Sequence, residues 1–461
     1  IPWVVARELR ATLLDYLRST WSLSDRKLES ALFSFLSGPQ GMFQGPYLRV
    51  GLPFAPAPEG AQVPLEVAPL YRAHLHQLSA WQRLSSRGQE PRATLITTGT
   101  GSGKTECFLF PLLDHALREV QAGRGGIKAI VLYPMNALAS DQAGRFADTI
   151  FRDERLRGRV KVGLFVGGKG QHRTMGPSHV IDESDHLRAH PPDILLTNYR
   201  MLDLLLQRPK DARLWSENRP ETLRYLVLDE LHTYDGAQGT DVACLIRRLG
   251  HRLGAPERIC AVGTSATVGA GLESRAELLR FARTLFDQPF EDDAFIGETR
   301  LEPSEIIGGA PLPERYPDEP GPWPSPGDTI EAHVGACVRA WLPEKLAHEI
   351  LKEGQIDRVA LGDAATKLPL VRAVLQVAHR RPITLDEAIA GLGAELTRFR
   401  NASRTEQEGW LASILTILSY SQRSAGGRAL PLVSVQATLG VRELRRLLVH
   451  GGGEPAFRFL D

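Results

Sequence analysis

With 461 residues, 43% of them hydrophobic and 24% charged, the chain can bury two or three cores and is neither disordered nor fibrous. A net charge of +1 excludes nucleic-acid binding by a bulk positive field, so any such contact has to come from a local groove. Cys107, Cys244, Cys260 and Cys337 form no CxxC pair and read as free thiols of a reducing cytosol; with no apolar run of membrane-spanning length, a soluble cytoplasmic protein with no membrane partner is expected.

In chain order, Val4 to Leu36 carries two amphipathic helical patterns separated by a capping segment, Ser22 to Asp25. They predict an N-terminal helical lobe, followed by a proline-rich linker from Pro53 to Pro69, so that residues 1–69 stand apart. Residues 70–290 alternate short β-branched runs with helical periods. The runs are Ala93–Thr97, Ala129–Leu132, Val160–Phe165, Asp193–Thr197, Arg224–Leu228 and Ile259–Gly263. Strands separated by helices predict an α/β domain with a parallel sheet covered on both faces and ligands at the carboxyl ends of the strands.

Residues 291–327 contain PLPERYPDEPGPWPSPG, whose prolines forbid regular structure and predict a linker. From 328 to 461 the pattern is mainly helical: Ile330–Leu342, Pro369–Ala378, Leu385–Leu392, Gln407–Ser419 and Val441–Val449. The last of these carries Arg442, Arg445 and Arg446, either a solvated face or a guide for nucleic acid. The region reads as an accessory packed on the α/β domain.

The most chemical segment is TTGTGSGKT, Thr97 to Thr105, lying between a strand and a helix. A glycine-rich turn in that place forms a phosphate cradle of backbone N–H groups from Thr98, Gly99, Thr100, Gly101, Ser102 and Gly103. Lys104 sets an ammonium between the β- and γ-phosphates, and the Thr105 hydroxyl joins a Mg²⁺ shell. Thr98 stands where the strict pattern has glycine, a variant common in nucleic-acid motors. Downstream, RYLVLDELH ends a strand in two acids. On a strand next to the cradle strand, Asp229 would hold the metal and Glu230 would orient or deprotonate the attacking water.

The order of these motifs resembles the first motor domain of a superfamily 2 DExH helicase. Motif I is Thr98 to Thr105, motif II Asp229 to His232 and motif III Ser265 to Thr267. Tyr133 to Gln142 matches motif Ia and Thr197-Asn198 motif Ib. The stretch DELHTYDGAQGTDVACLIRRL, Asp229 to Leu249, resembles the MrfA and YprA branch, and large bacterial helicases found with phage-defence genes of the Druantia or DISARM kind.

The resemblance implies a RecA-like P-loop domain using ATP and Mg²⁺. Gln77, upstream of the cradle, lies where the helicase family that these motifs resemble places a glutamine against the adenine edge, which would favour ATP over GTP. It makes Lys104, Asp229, Glu230 and His232 catalytic, with Ser265 and Thr267 coupling the γ-phosphate state to the strand. It puts Pro134, Asn136, Gly168, Thr197 and Asn198 against a sugar-phosphate backbone, expected to be single-stranded or forked DNA.

No stretch after Thr267 matches the arginine-finger segment of a second motor domain, and the chain opens at Ile1 and closes after an apolar FRFL run. It therefore reads as the N-terminal half of a longer polypeptide, weak in turnover without its second RecA-like domain and open to a defence-system protein partner. An ATP-gated clamp or scaffold without strand separation is the alternative.

Overall fold

A computed structural model describes residues 2–21, 23–99, 101–168, 170–255, 258–266, 272–318, 329–352, 355–425, 427–450 and 456–459. The chain divides into two compact units, one from Phe54 to Thr299 and one combining Ile1–Pro53 with Arg300–Asp461.

The first unit is built on seven parallel strands: β1 Thr94–Thr97, β2 Ala129–Leu132, β3 Val162–Phe165, β4 Ile194–Thr197, β5 Tyr225–Leu228, β6 Cys260–Ser265 and β7 Phe295–Gly297. Their spatial order is β3-β4-β2-β5-β6-β1-β7. Every residue of β1, β2, β4, β5 and β6 is buried, as continuous apolar runs require when helices cover both faces. Alternate residues of β2 feed opposite cores. Val131 packs with Phe108 and Phe146, whereas Ile130 and Leu132 pack with Leu249 and Phe286. This is a RecA-like α/β fold.

All six predicted strands are present, with bounds shifted by at most two residues. The seventh, β7, falls in the stretch read as linker and pairs in parallel with β1. Three residues are too few to show a period. A second correction concerns neighbours: β1 pairs with β6 and β7, and β6 separates it from β5, the strand that leads to Asp229.

The second unit joins the two ends of the sequence. Phe43–Gly51 pairs antiparallel with Ser434–Val441 and with Ile383–Thr384, so the N-terminal segment does not form a lobe separate from the accessory region. The two predicted N-terminal helices are present at Pro2–Thr20 and Arg26–Ser37, the second capped by Asp25, which accepts from the N–H groups of Lys27 and Leu28. Phe35 stacks on Phe457 and Phe459. The main core of the unit surrounds Leu411, Ile414 and Leu418 of the helix Arg404–Tyr420.

The predicted helix Val441–Val449 is overturned. A strand ends at Val441, a short 3₁₀ turn spans Leu444–Arg446, and Leu447–His450 pairs with Ala456–Phe459. Alternating Val435, Ala437, Leu439 and Val441 suits a strand, and long-range pairing outweighs the local helical period. The three arginines share no helix: Arg442 donates to Gln40 O, and Arg445 and Arg446 lie beside Glu443.

One buried histidine links this packing to pH. His115, on the helix Lys104–Gln121, has its Nδ1 2.9 Å from Ser86 Oγ and its ring edge-on to Tyr225, while Nε2 is sealed without a partner. Burial pushes its pKa down to about 4, with Glu119 opposing and Arg118 assisting. The unfolded chain therefore binds the extra proton first, and stability falls as pH drops from about 6.5 toward 4, at up to ~1.4 kcal/mol per unit. Denaturant titrations at pH 7 and pH 5 are expected to show a loss smaller by about 2 kcal/mol in His115→Gln than in wild type. An equal loss in both proteins would remove His115 from the account.

Candidate nucleotide-binding site

The cradle lies between β1 and the helix Lys104–Gln121, whose N-cap is Gly103. Gly103 has φ +76°, a left-handed backbone that favours glycine, and a Cβ there would stand 2.2 Å from Gln77 Nε2 and displace that amide. Side chains brace the turn: Ser102 Oγ donates to Thr98 Oγ1 at 2.7 Å, and Glu298 accepts from Gly99 N–H at 2.9 Å. Gln77 is buried with both ends of its amide in use, accepting from His74 N–H at 3.0 Å and donating to Gly103 O at 3.3 Å. Thr100 lies outside the described residues.

Lys104 Nζ meets Glu230 Oε1 at 2.7 Å. Asp229, buried at the end of β5, accepts from Thr264 Oγ1, and the same Thr264 oxygen receives Glu230 N–H at 3.3 Å. The strand between cradle and acids thus supplies the tie that holds both acids in place. Burial raises the Asp229 pKa, opposed by the Thr264 hydrogen bond and by Lys104. Tyr133, fully buried, has no hydrogen-bond partner for its hydroxyl among the described residues, and burial and then Asp229 push that hydroxyl's pKa well up. Glu230 sits at φ 50° and ψ 57°, a left-handed conformation costing a non-glycine residue about 1 kcal/mol or more. Its Oε2 is sealed without a hydrogen-bond partner among the described residues, with His232 Nδ1 3.5 Å away. His232 Nδ1 also lies 3.2 Å from Ser265 Oγ. Thr267 lies outside the described residues.

Sequence reasoning missed three groups here. Glu298 follows β7 in the supposed linker. Gln142 and Arg145 reach the cradle from the helix Asn136–Arg152: Thr105 Oγ1 donates to Gln142 Oε1 at 3.2 Å and accepts from Arg145 at 3.1 Å. Arg145 also pairs with Glu106 at 2.9 Å. Gln142 closes the motif Ia match, which was a signal available in the sequence; an arginine on a helix surface gives none.

The residues expected against a nucleic-acid backbone gather at the carboxyl ends of β2, β3 and β4, beside the acids on the same edge of the sheet. Asn198 caps the helix Tyr199–Gln207 through Met201 N–H and donates to Asn136 Oδ1 at 2.7 Å. Pro134 is half-buried, and Gly168 is exposed with φ +95°. Thr197 differs from expectation. It is fully buried and its hydroxyl donates to Phe165 O, so it ties β4 to β3 and presents no free hydroxyl.

Residues 75–274 match the DEAD/DEAH box helicase family. This chain carries a DEAD/DEAH helicase domain. It lies on the superfamily 2 branch that includes YprA and the Druantia protein. The Druantia protein DruE of Escherichia coli (strain UMEA 4076-1) is 27% identical over 376 residues, covering 57% of this chain and 20% of that protein. The uncharacterized ATP-dependent helicase YprA of Bacillus subtilis (strain 168) is 30% identical over 205 residues, covering 42% of this chain and 23% of its own length. The chain thus spans about a fifth of the length of these curated relatives. A solved structure of the DUF1998 helicase MrfA bound to DNA and AMPPNP aligns at 25% identity with a TM-score of 0.39, over 58% of this chain and 33% of that one. Among the described residues, no helix is long and apolar enough to cross a membrane.

Proposed function

We propose that the helicase domain binds ATP–Mg²⁺ and drives movement along a nucleic-acid strand, as the N-terminal motor half of a helicase or translocase. The observation that carries this is the meeting of Lys104 and Glu230 at 2.7 Å, with Asp229 held beside them by Thr264. A cation for phosphate and two acids, one with a sealed and unpartnered oxygen, suit a triphosphate, its metal and a water.

In this reading the cradle N–H groups and Lys104 hold the β- and γ-phosphates. Thr105 and Asp229 hold Mg²⁺, which when bound neutralises phosphate charge. Glu230 accepts the proton of the attacking water at its carboxylate. Gln77 reads the adenine edge by exchanging its bond to Gly103 O. His232 and Ser265 carry the γ-phosphate state toward Pro134, Asn136, Gly168 and Asn198, which hold the strand, single-stranded or forked DNA in the first instance.

Turnover by this chain alone is slow in the same reading, because an arginine finger from a second RecA-like domain is worth about 10³- to 10⁵-fold. The likeness to the Druantia protein motivates a role in antiviral defence, in the cytoplasm, with a partner protein of such a system.

The test combines strand-stimulated phosphate release with displacement on forked duplexes, using DNA and RNA in parallel. Stimulated hydrolysis with displaced or translocated strand supports the motor. Hydrolysis or ATP-dependent strand binding without movement assigns the clamp instead, and no Mg²⁺-dependent ATP binding at all overturns both.

A further inference from the structure

The second unit, taken by itself, holds a cavity of about 340 Å³ that plays no part in the nucleotide site. Lys367 and Arg423 line it, together with the hydroxyl residues Thr366 and Ser424 and the carboxylates Glu305 and Asp363. Arg423 is fixed by the strand Gln422–Ala425, which pairs antiparallel with Arg428–Pro431. Its Nε is sealed from solvent with no hydrogen-bond partner among the described residues. Burial lowers its pKa with no carboxylate opposing. Lys367 forms no ion pair with a described residue either. Arg404 and Arg381 of the same unit differ: Arg404 pairs with Asp386 and Glu408, and Arg381 with Glu387.

A partly buried guanidinium whose Nε is sealed without a hydrogen-bond partner among the described residues leaves a donor unsatisfied, which an anion in the cavity would satisfy. A planar N–H fork with an ammonium and a hydroxyl nearby suits a phosphate, which takes bidentate charge-assisted hydrogen bonds. The two carboxylates on the same cavity disfavour a polyphosphate. They favour one phosphate carried on a group with its own donors, such as a sugar hydroxyl or a base amine. The volume lies in the range of small-molecule sites, about 300–1,000 Å³.

We propose that this cavity is a second ligand site, separate from the ATP cradle, which takes the phosphate monoester of a nucleotide through Arg423 and Lys367. The nucleotide is either free or the 5′ end of a strand.

The experiment uses the full chain carrying Lys104→Ala, which weakens the ATP site, and Arg423→Gln and Lys367→Gln assign the remaining binding to this cavity. Probes are AMP, a 5′-phosphorylated oligothymidylate and the same oligomer without its phosphate, read by thermal shift and titration calorimetry. A rise in Tm with AMP, a larger rise with the phosphorylated than with the unphosphorylated oligomer, or both supports the site, and the pattern tells free nucleotide from strand end. Arg423→Gln and Lys367→Gln are each expected to weaken that binding roughly tenfold or more. Because the Arg423 side chain has no hydrogen-bond or ion-pair partner among the described residues, Arg423→Gln is also expected to leave the ligand-free Tm unchanged or raised. Equal binding of phosphorylated and unphosphorylated oligomers without AMP binding, binding unaffected by both substitutions, or no saturable binding of any probe would overturn the proposal.

Discussion

Glu230→Gln is expected to cut ATP hydrolysis by about 10²- to 10⁴-fold, the usual worth of a positioned general base, while tightening ATP binding a few-fold. The first effect follows from chemistry: an amide cannot accept the proton of the attacking water. The second follows from the ligand-free geometry, in which Glu230 occupies Lys104 at 2.7 Å. The incoming γ-phosphate has to displace that carboxylate, and both side chains are largely shielded, at 16% and 28% exposed, so the attraction it must overcome is incompletely screened. Glutamine keeps the shape and the left-handed backbone of position 230 while weakening its hold on the lysine. Fluorescence titration with labelled ATP and phosphate release, each against the wild-type chain under the same conditions, give the two numbers. Unchanged hydrolysis would remove Glu230 from the base role, and weaker ATP binding would show that the ion pair does not compete with the nucleotide.

The parts of this site that were legible in the sequence are those whose chemistry demands given atom types at close spacing. Gly103, Lys104 and Thr105 follow one another along the chain, as do Asp229 and Glu230, and buried parallel strands announce themselves as apolar runs such as Ala129–Leu132. What escaped depends on contacts between distant segments. Glu298 reaches Gly99 from beyond a three-residue strand, Arg145 reaches Thr105 across two elements, and Thr264 became meaningful only when β6 proved to lie between cradle and acids. Thr197 looked like an exposed polar strand end, yet its hydroxyl is spent on Phe165 O. In the second unit, Phe43–Gly51 contains Gly45-Pro46 and a register shift, which break the alternation that would have marked it as a strand. Its partner was likewise invisible until the chain ends met, and the helical period near Leu444 to Leu448 lost to that pairing.

Lys104→Ala carries the other large effect, and it differs from Glu230→Gln in sign on both affinity and stability. Removing the ammonium deletes a charge-assisted contact to the phosphates worth about 1.5–3 kcal/mol, or roughly 10- to 100-fold in ATP affinity. It also strips the ligand-free protein of the only lysine or arginine paired with Glu230 among the described residues, beside the buried Asp229. Two neighbouring carboxylates, one with an unpartnered oxygen, then repel without compensation. The cost, about 1–3 kcal/mol, corresponds to a Tm lower by several degrees. Adding Glu230→Gln to Lys104→Ala removes one of the two charges. The double variant is expected to recover most of the lost Tm and none of the lost ATP affinity. Melting curves and ATP titrations on wild type, both single variants and the double variant close the cycle. If the double variant melts as low as Lys104→Ala, the repulsion is not the source of the instability; if it regains ATP affinity, Lys104 acts on Glu230 alone and not on the phosphates.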